Sequence, residues 1–216
     1  MAGVKKCEKS EKVISERVIR RLPRYYRFLG DIMHSGAERI SSRELSEKMG
    51  LTASQIRQDL NCFGGFGQQG YGYNVEALHR EIGCILGQDT PKKAIMIGVG
   101  NLGAAVAAYM DGNDRGIVLC GLFDNDAAKF GKQIGSLSIR SIEELEACCM
   151  TEHPDAAILC VTKEAAKEIV PRLIQNGIRG VLNFTHYDIA LDYPQLQVEN
   201  VHISDSLMTL RYMLGD

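Results

Sequence analysis

The chain has 216 residues, 45% of them apolar, a formal net charge of -2 and seven cysteines. The length allows one large domain or two small ones, and the composition is that of a packed protein rather than a disordered one. The longest apolar runs, such as AAILCV at 156–161, fall well short of the ~20 residues a membrane span needs, the N-terminus MAGVKKCEKSEK carries no apolar signal segment, and an odd cysteine count without a CxxC pair fits neither a disulfide framework nor a zinc site. The expected setting is cytoplasmic, with no membrane and no metal.

The charge is unevenly spread. Residues 1–80 hold fourteen Lys and Arg against nine Asp and Glu; residues 81–216 hold eleven against eighteen. A basic front and an acidic back suggest two domains with different partners, nucleic acid being the natural candidate for the first.

Residues 13–36 place Val18, Leu22, Tyr25, Leu29 and Ile32 at helical spacing, with Pro23 either starting a helix or kinking one. In ISSRELSEKMGLTASQIRQDLNCFG, Ser41 and Glu44 form a capping-box pattern, and Leu45 and Met49 share one face. Gly50 then breaks the helix, and Thr52 or Ser54 caps a second one carrying Ile56 and Leu60 inward. That is the spacing of a DNA-binding helix-turn-helix, although a helical hairpin in any small α domain fits the same pattern. With Ile56 and Leu60 facing the core, Ser54, Gln58 and Asn61 lie opposite, flanked by Gln55 and Arg57. Gln and Asn suit adenine, and Arg suits guanine or phosphate.

The stretch FGGFGQQGYGY, 63–73, has five glycines and four aromatics in eleven positions. It reads as a β-hairpin, and a hairpin directly after a recognition helix is the wing of a winged helix. Gln68 and Gln69 sit near its tip, and Phe63, Phe66, Tyr71 and Tyr73 are expected to hold its base. A wing tip of this kind touches phosphate or minor groove, which adds Gln68, Gln69 and Tyr71 to the DNA-binding candidates.

KKAIMIGVGNLGAAVAAYM reads as a strand, a glycine turn and a helix. Gly98, Gly100 and Gly103 fit G-x-G-x-x-G, so the turn from Gly98 through Val99, Gly100, Asn101 and Leu102 to Gly103 is the expected phosphate cradle. A second strand, GIVLCGLFD, ends in Asp124, 26 residues after Gly98. A carboxylate there accepts hydrogen bonds from ribose hydroxyls and disfavours a 2′-phosphate, selecting NAD over NADP. Helix SIEELEACCM, strand DAAILCV, helix KEAAKEIVPRLIQNG, strand IRGVLNF, strand VENVHI and helix SDSLMTLRYML follow. This alternation predicts a parallel doubly wound sheet. Thr162 and Asn183, just after strands, are candidate cofactor contacts. No serine elbow, metal cluster or catalytic cysteine setting is visible, and no histidine sits in a proton relay. The nucleotide therefore reads as a signal rather than a substrate, and the chain as not an enzyme.

Taken together, RLPRYYRFL (21–29), residues 41–75, IGVGNLGAAVAAY (97–109) and GLFDND (121–126) resemble the Rex family of bacterial redox-sensing transcriptional repressors over nearly the whole chain. The resemblance implies an α/β protein with a winged helix-turn-helix domain at 1–84, a Rossmann-like NAD(H) domain at 85–203 and a C-terminal helix at 204–216 exchanged within a homodimer. It implies a palindromic operator that is released when NADH binds, while NAD+ competes but binds more weakly or leaves the DNA-bound form in place. It also implies a coupling contact among Arg27, Asp205 and Tyr109, with Tyr109 near the nicotinamide, and a role for Lys129 beside the adenosine. Many relatives carry basic residues where Gln58, Gln68 and Gln69 stand, so binding should be less salt-sensitive, by roughly one unit of slope per lost phosphate contact. Two alternatives remain: a small NAD-dependent oxidoreductase with a helical appendage, and a protein whose glycine turn holds coenzyme A.

Overall fold

The computed structural model describes residues 15–62, 67–68, 71–112 and 116–215, and Gly67 and Gln68 only as backbone. The chain divides into two units, Met1–Thr90 and Pro91–Asp216. The division falls later than the expected boundary after residue 84, because a helix runs through Ile85 before the second unit starts.

In the first unit, α1 spans Glu16–Ile19 and α2 spans Leu22–His34. Pro23 is in the first turn of α2, where its missing N–H leaves no intrahelical bond unmade, so it starts a helix rather than kinking one. Strand β1, Arg39–Ile40, leads into α3, Ser42–Met49. The capping box forms: the Glu44 N–H donates to Ser41 Oγ (3.1 Å) and the Ser41 N–H to Glu44 Oε2 (2.8 Å). Gly50 closes α3 with φ 61°, and α4, Ala53–Asn61, begins at once. Thr52 is its cap, accepting from the Gln55 N–H, and Ser54 lies inside the first turn.

Strands β2 (Gly67–Gln68) and β3 (Gly72–Asn74) follow, and β3 pairs antiparallel with both β1 and β2 in the order β1-β3-β2. The wing thus rests on a strand between α2 and α3 that two residues were too few to betray. Asn74, the last residue of β3, also caps α5, Val75–Ile85, its Oδ1 accepting from the Ala77 N–H at 2.8 Å. The core joins Leu22, Tyr25 and Leu29 of α2 to Leu45, Met49, Ile56 and Leu60 of the helix-turn-helix and to Leu78 and Ile82 of α5.

The second unit holds β4 (Lys92–Ile97), α6 (Asn101–Met110), β5 (Ile117–Asp124), β6 (Gln133–Ile134), β7 (Leu137–Ser141), α7 (Leu145–Glu152), β8 (Ala156–Leu159), α8 (Lys163–Gln175), β9 (Gly180–Asn183), α9 (Ile189–Asp192), β10 (Gln197–Asn200) and α10 (Ile203–Leu214). The sheet order is β10-β9-β8-β4-β5-β7-β6, parallel throughout except that β6 runs antiparallel to β7. Without β6 this is the 3-2-1-4-5-6 order of a dinucleotide-binding fold. Ala94, Ile95, Met96 and Ile97 are all buried because both faces of β4 are covered. Ile95 and Ile97 pack with α7 and α8, and Met96 packs with α6 on the other side.

Several elements differ from expectation. Strands β6 and β7 and helices α5 and α9 have no counterpart in the sequence reading. The last strand is Gln197–Asn200 rather than the VENVHI segment, since His202 already caps α10. No residue of α10 is buried, although it carries Ile203, Leu207, Met208, Leu210, Met213 and Leu214.

Candidate functional site

Adjacent strands β4 and β8 send their following helices, α6 and α8, to opposite faces of the sheet. The carboxyl ends of two such strands part and leave a crevice. A cavity of about 690 Å³ lies there. Of the residues expected to hold a nucleotide, Gly98, Gly100, Asp124, Lys129 and Thr162 line it.

The glycine turn is built by contact. Gly98 has φ +88°, and a Cβ on it would meet the Cys160 carbonyl oxygen at 2.5 Å; a Cβ on Gly103 would meet the Gly98 carbonyl oxygen at 2.0 Å. Both positions exclude any side chain, and together they press α6 onto the strand end. A Cβ on Gly100, by contrast, would meet nothing within 4 Å. Gly100 is also the N-cap of α6 and supplies no side-chain acceptor, so the first N–H groups of this ten-residue helix face the opening. Open backbone at a helix N-terminus is an anion site.

Asp124 ends β5 and is 5% exposed. Its Oδ2 accepts from the Val99 N–H (2.7 Å) and the Lys129 ammonium (3.0 Å), and its Oδ1 accepts from the Asp126 N–H (2.9 Å). Burial pushes the carboxyl pKa up, but the Asp126 N–H, the Lys129 ammonium and the Val99 N–H outweigh it and hold the group below the ordinary carboxylate range. Asp124 thus also ties the glycine turn to the end of the neighbouring strand. Val99 is buried and faces away from the cavity, while Asn101 and Leu102 are exposed on the first turn of α6. Thr162 Oγ1 caps α8 by accepting from the Ala165 N–H.

Asn183 does not fit its expected part. It is fully buried: its amide donates to the Tyr187 carbonyl and to Asn200 Oδ1, and its oxygen accepts from the Thr185 N–H and hydroxyl. It organises the loop after β9 and does not line the cavity. Tyr109 is exposed near the far end of α6, nine residues and about 13 Å of helix rise from Gly100. Asp205, in the first turn of α10, lies 3.3 Å from His202 Nδ1. Arg27 is exposed on α2, its guanidinium over the Phe28 ring.

Sequence reasoning missed Glu143 and Arg172 in the cavity wall. Arg172 holds Glu146 through two bonds (2.9 and 3.0 Å) and donates to the Ile142 carbonyl. Glu143 follows from β7, whose carboxyl end delivers residues 142–144 to the crevice, whereas Arg172 comes from α8. Cys160 also lines it, and burial pushes its thiol pKa up to about 11, as burial does for Cys120. At neutral pH on the order of one such thiol in a thousand, or fewer, is ionised. Iodoacetamide should leave both unmodified in the native protein under conditions that label the unfolded chain fully; rapid native labelling of Cys160, read by mass spectrometry, would make it a reactive site instead.

In the first unit, Ser54, Arg57, Gln58 and Asn61 are exposed on α4, opposite Ile56 and Leu60, and Gln55 is half-buried. Arg57 Nη1 donates to Ser42 Oγ at 3.1 Å. Of the hairpin aromatics, Tyr73 is buried and anchors β3, whereas Tyr71 is 70% exposed and does not pack at the base. Gln68 pairs with Gly72 across β2 and β3; its side chain, Phe63, Phe66 and Gln69 lie outside the described residues.

The largest surprise is Asp59, 1% exposed in the middle of α4. Arg21 grips it with two bonds (2.7 and 2.8 Å), Tyr25 donates to it at 2.9 Å, and Gln55 Nε2 donates at 2.8 Å. Its place three residues after Ile56 and one before Leu60 was the available signal: an acid on the apolar face of a helix needs a buried partner.

Among the described residues no helix is long and apolar enough to cross a membrane, and no group of three or more His, Cys, Asp or Glu could hold a metal. Residues 13–61 match the family described as "Putative DNA-binding protein N-terminus", and residues 89–187 match the family described as "CoA binding domain". The redox-sensing transcriptional repressor Rex of Clostridioides difficile strain 630 is 49% identical over 206 residues, covering 95% of this chain and 97% of the relative. That of Clostridium botulinum strain Eklund 17B is 47% identical over 203 residues, covering 94% and 96%. Among solved structures, RSP in complex with β-NAD+ and operator DNA superposes with a TM-score of 0.87 at 47% identity, covering 94% of both chains. RSP in complex with β-NADH gives 0.85 at 44%, covering 94% of this chain and 95% of that one. Likeness of this degree along both units leaves one assignment: the chain belongs to the Rex family of redox-sensing transcriptional repressors.

Proposed function

We infer that the protein is a homodimeric repressor that holds a palindromic operator and releases it when NADH binds. The observation that carries this is the joining, in one chain, of a glycine turn and a buried acidic strand end at the switch point with a helix-turn-helix whose outer face is polar. Relatives solved with β-NADH, and with β-NAD+ and operator DNA, support it. The pyrophosphate lies on the first turn of α6, over Gly98, Gly100 and Gly103 and the flanking Val99, Asn101 and Leu102. Asp124 takes the ribose hydroxyls, Lys129 lies beside the adenosine and Thr162 on the opposite wall. On the DNA side Ser54, Gln55, Arg57, Gln58 and Asn61 enter the major groove, and Gln68, Gln69 and Tyr71 of the wing meet the backbone or minor groove.

In this reading Met1–Thr90 takes the DNA and the second unit, up to residue 203, takes the nucleotide, with the helix at 204–216 passed to the partner subunit. The exposed apolar residues of α10 support that exchange. NADH favours an arrangement in which the two recognition helices no longer match the half-site spacing, with Arg27, Tyr109 and Asp205 as the coupling contact. The nucleotide is an effector, and no reaction is catalysed on it. Coupling of this kind is reciprocal, so operator DNA weakens NADH binding by the same factor.

The test is fluorescence anisotropy on a palindromic duplex titrated separately with NADH, NAD+ and coenzyme A. Release by NADH at concentrations where NAD+ and coenzyme A leave the complex intact is the expected result. Release by coenzyme A in preference would move the site to that ligand, and steady loss of NADH absorbance with a carbonyl substrate would make the protein an oxidoreductase.

A further inference from the structure

A carboxylate buried to 1% exposure with four donors on it is more than is needed to fasten two helices. Arg21, at the N-cap of α2, and Tyr25, within it, satisfy it with three of those bonds, all 2.7–2.9 Å. The fourth comes from the recognition helix itself: Gln55 Nε2 donates to Asp59 Oδ1 at 2.8 Å, one turn away. An ionised carboxylate only accepts, so the end of the Gln55 amide that meets it must be the nitrogen. Burial works against the charge of Asp59, but the bonds from Arg21, Gln55 and Tyr25 outweigh it and keep the group ionised throughout the neutral range. Rotating the amide by half a turn would set its oxygen against the carboxylate with no proton between them.

We propose that Asp59 is a positioning residue that fixes the Gln55 amide with its carbonyl oxygen and second N–H turned outward, and that Gln55 so held reads an adenine in each half-site. The chemistry is that of the adenine major-groove edge. Gln55 Oε1 accepts from the N6 amino group, and the N–H not given to Asp59 donates to N7. A free glutamine on a helix can present its amide either way; one pinned at its nitrogen cannot. Gln55 stands at the N-terminal end of α4, the part of a recognition helix that approaches base edges. The inference rests on the repressor reading and deepens it by naming one base contact and the group that orients it.

The test uses the full-length protein and a palindromic duplex selected from a random pool on the wild type. Each adenine is replaced in turn by purine, which lacks the amino group. At one symmetric pair of positions the wild type should lose about tenfold or more in affinity, the discrimination expected of one good base contact. Gln55→Ala should bind the parent duplex more weakly and show no further loss on the purine duplex. Asp59→Asn, which keeps the size of the side chain but lets either end of Gln55 approach it, should reduce the adenine preference at that same pair and leave NADH affinity unchanged; if this variant does not fold, the Gln55→Ala comparison decides alone. Purine penalties that are the same in the wild type and Gln55→Ala at every position would overturn the inference. Failure of the wild type to retain any palindromic duplex would overturn the repressor reading, and this inference with it.

Discussion

Asp124→Ala is expected to raise the Kd for NADH by about two orders of magnitude. Two ribose hydroxyls on one carboxylate are charge-assisted donors, and losing both amounts to roughly 3 kcal/mol. The change also strips the Val99 N–H of its acceptor and leaves the Lys129 ammonium without its 3.0 Å partner. A lysine released at that point favours a 2′-phosphate, so the preference for NADH over NADPH should narrow in the same variant. Titration followed by nucleotide fluorescence measures both. An NADH affinity within threefold of wild type would remove Asp124 from the site. The depressed pKa of Asp124 sets the pH profile: the carboxylate is charged above the ordinary Asp value of about 3.9, so NADH affinity should be flat from pH 5 to 8 on its account and fall only under stronger acid.

Asp59→Ala is expected to destabilise the first unit by about 3 kcal/mol. Removing one partner of a buried ion pair costs about 3–5 kcal/mol, and the lower figure applies because the Arg21 side chain is 29% exposed and water reaches it. The Tyr25 hydroxyl loses its acceptor as well. Denaturant unfolding followed by circular dichroism reads the loss; a change below 1 kcal/mol would mean that α2 and α4 hold together without the carboxylate. Asp59 is depressed below its ordinary value, so its contribution is complete above about pH 4 and is lost as the pH falls through the lowered pKa. Acid should therefore loosen the helix-turn-helix where moderate alkali does not.

What was legible in the sequence follows from how local each signal is. The capping box at Ser41 and Glu44, the left-handed stop at Gly50 and the glycine turn at 98–103 are written within four to six residues, and all are present. The sheet was read except where its strands are short and half-polar. Strand β7, Leu-Ser-Ile-Arg-Ser, has one buried side chain, Ile139, and pairs with β5 over only three residues. It lies one strand from the sheet edge, and a strand this short and half-polar leaves little apolar pattern to read. With it went the third strand end, and so Glu143; Arg172 lies on α8, a helix the sequence does predict, but periodicity does not say which polar residue of a helix reaches the crevice. Asn183 failed for the opposite reason. Its place at the end of a strand is legible, but position at an edge does not say where an amide points, and three bonds to its own loop and one to Asn200 of β10 turn this one inward. Asp59 needed a partner 38 residues away in Arg21, and no periodicity reports that distance.

Helix α10 is twelve residues long, amphipathic, and has none of them buried. Twelve residues is about the shortest length at which a helix persists alone in water, so its order depends on what covers it. In a dimer that exchanges this helix, helix formation and subunit association become one mass-action equilibrium, steep in protein concentration. Dilution would then uncoil the C-terminus and dissociate the subunits together, making the cellular level of the repressor a second input beside its nucleotide.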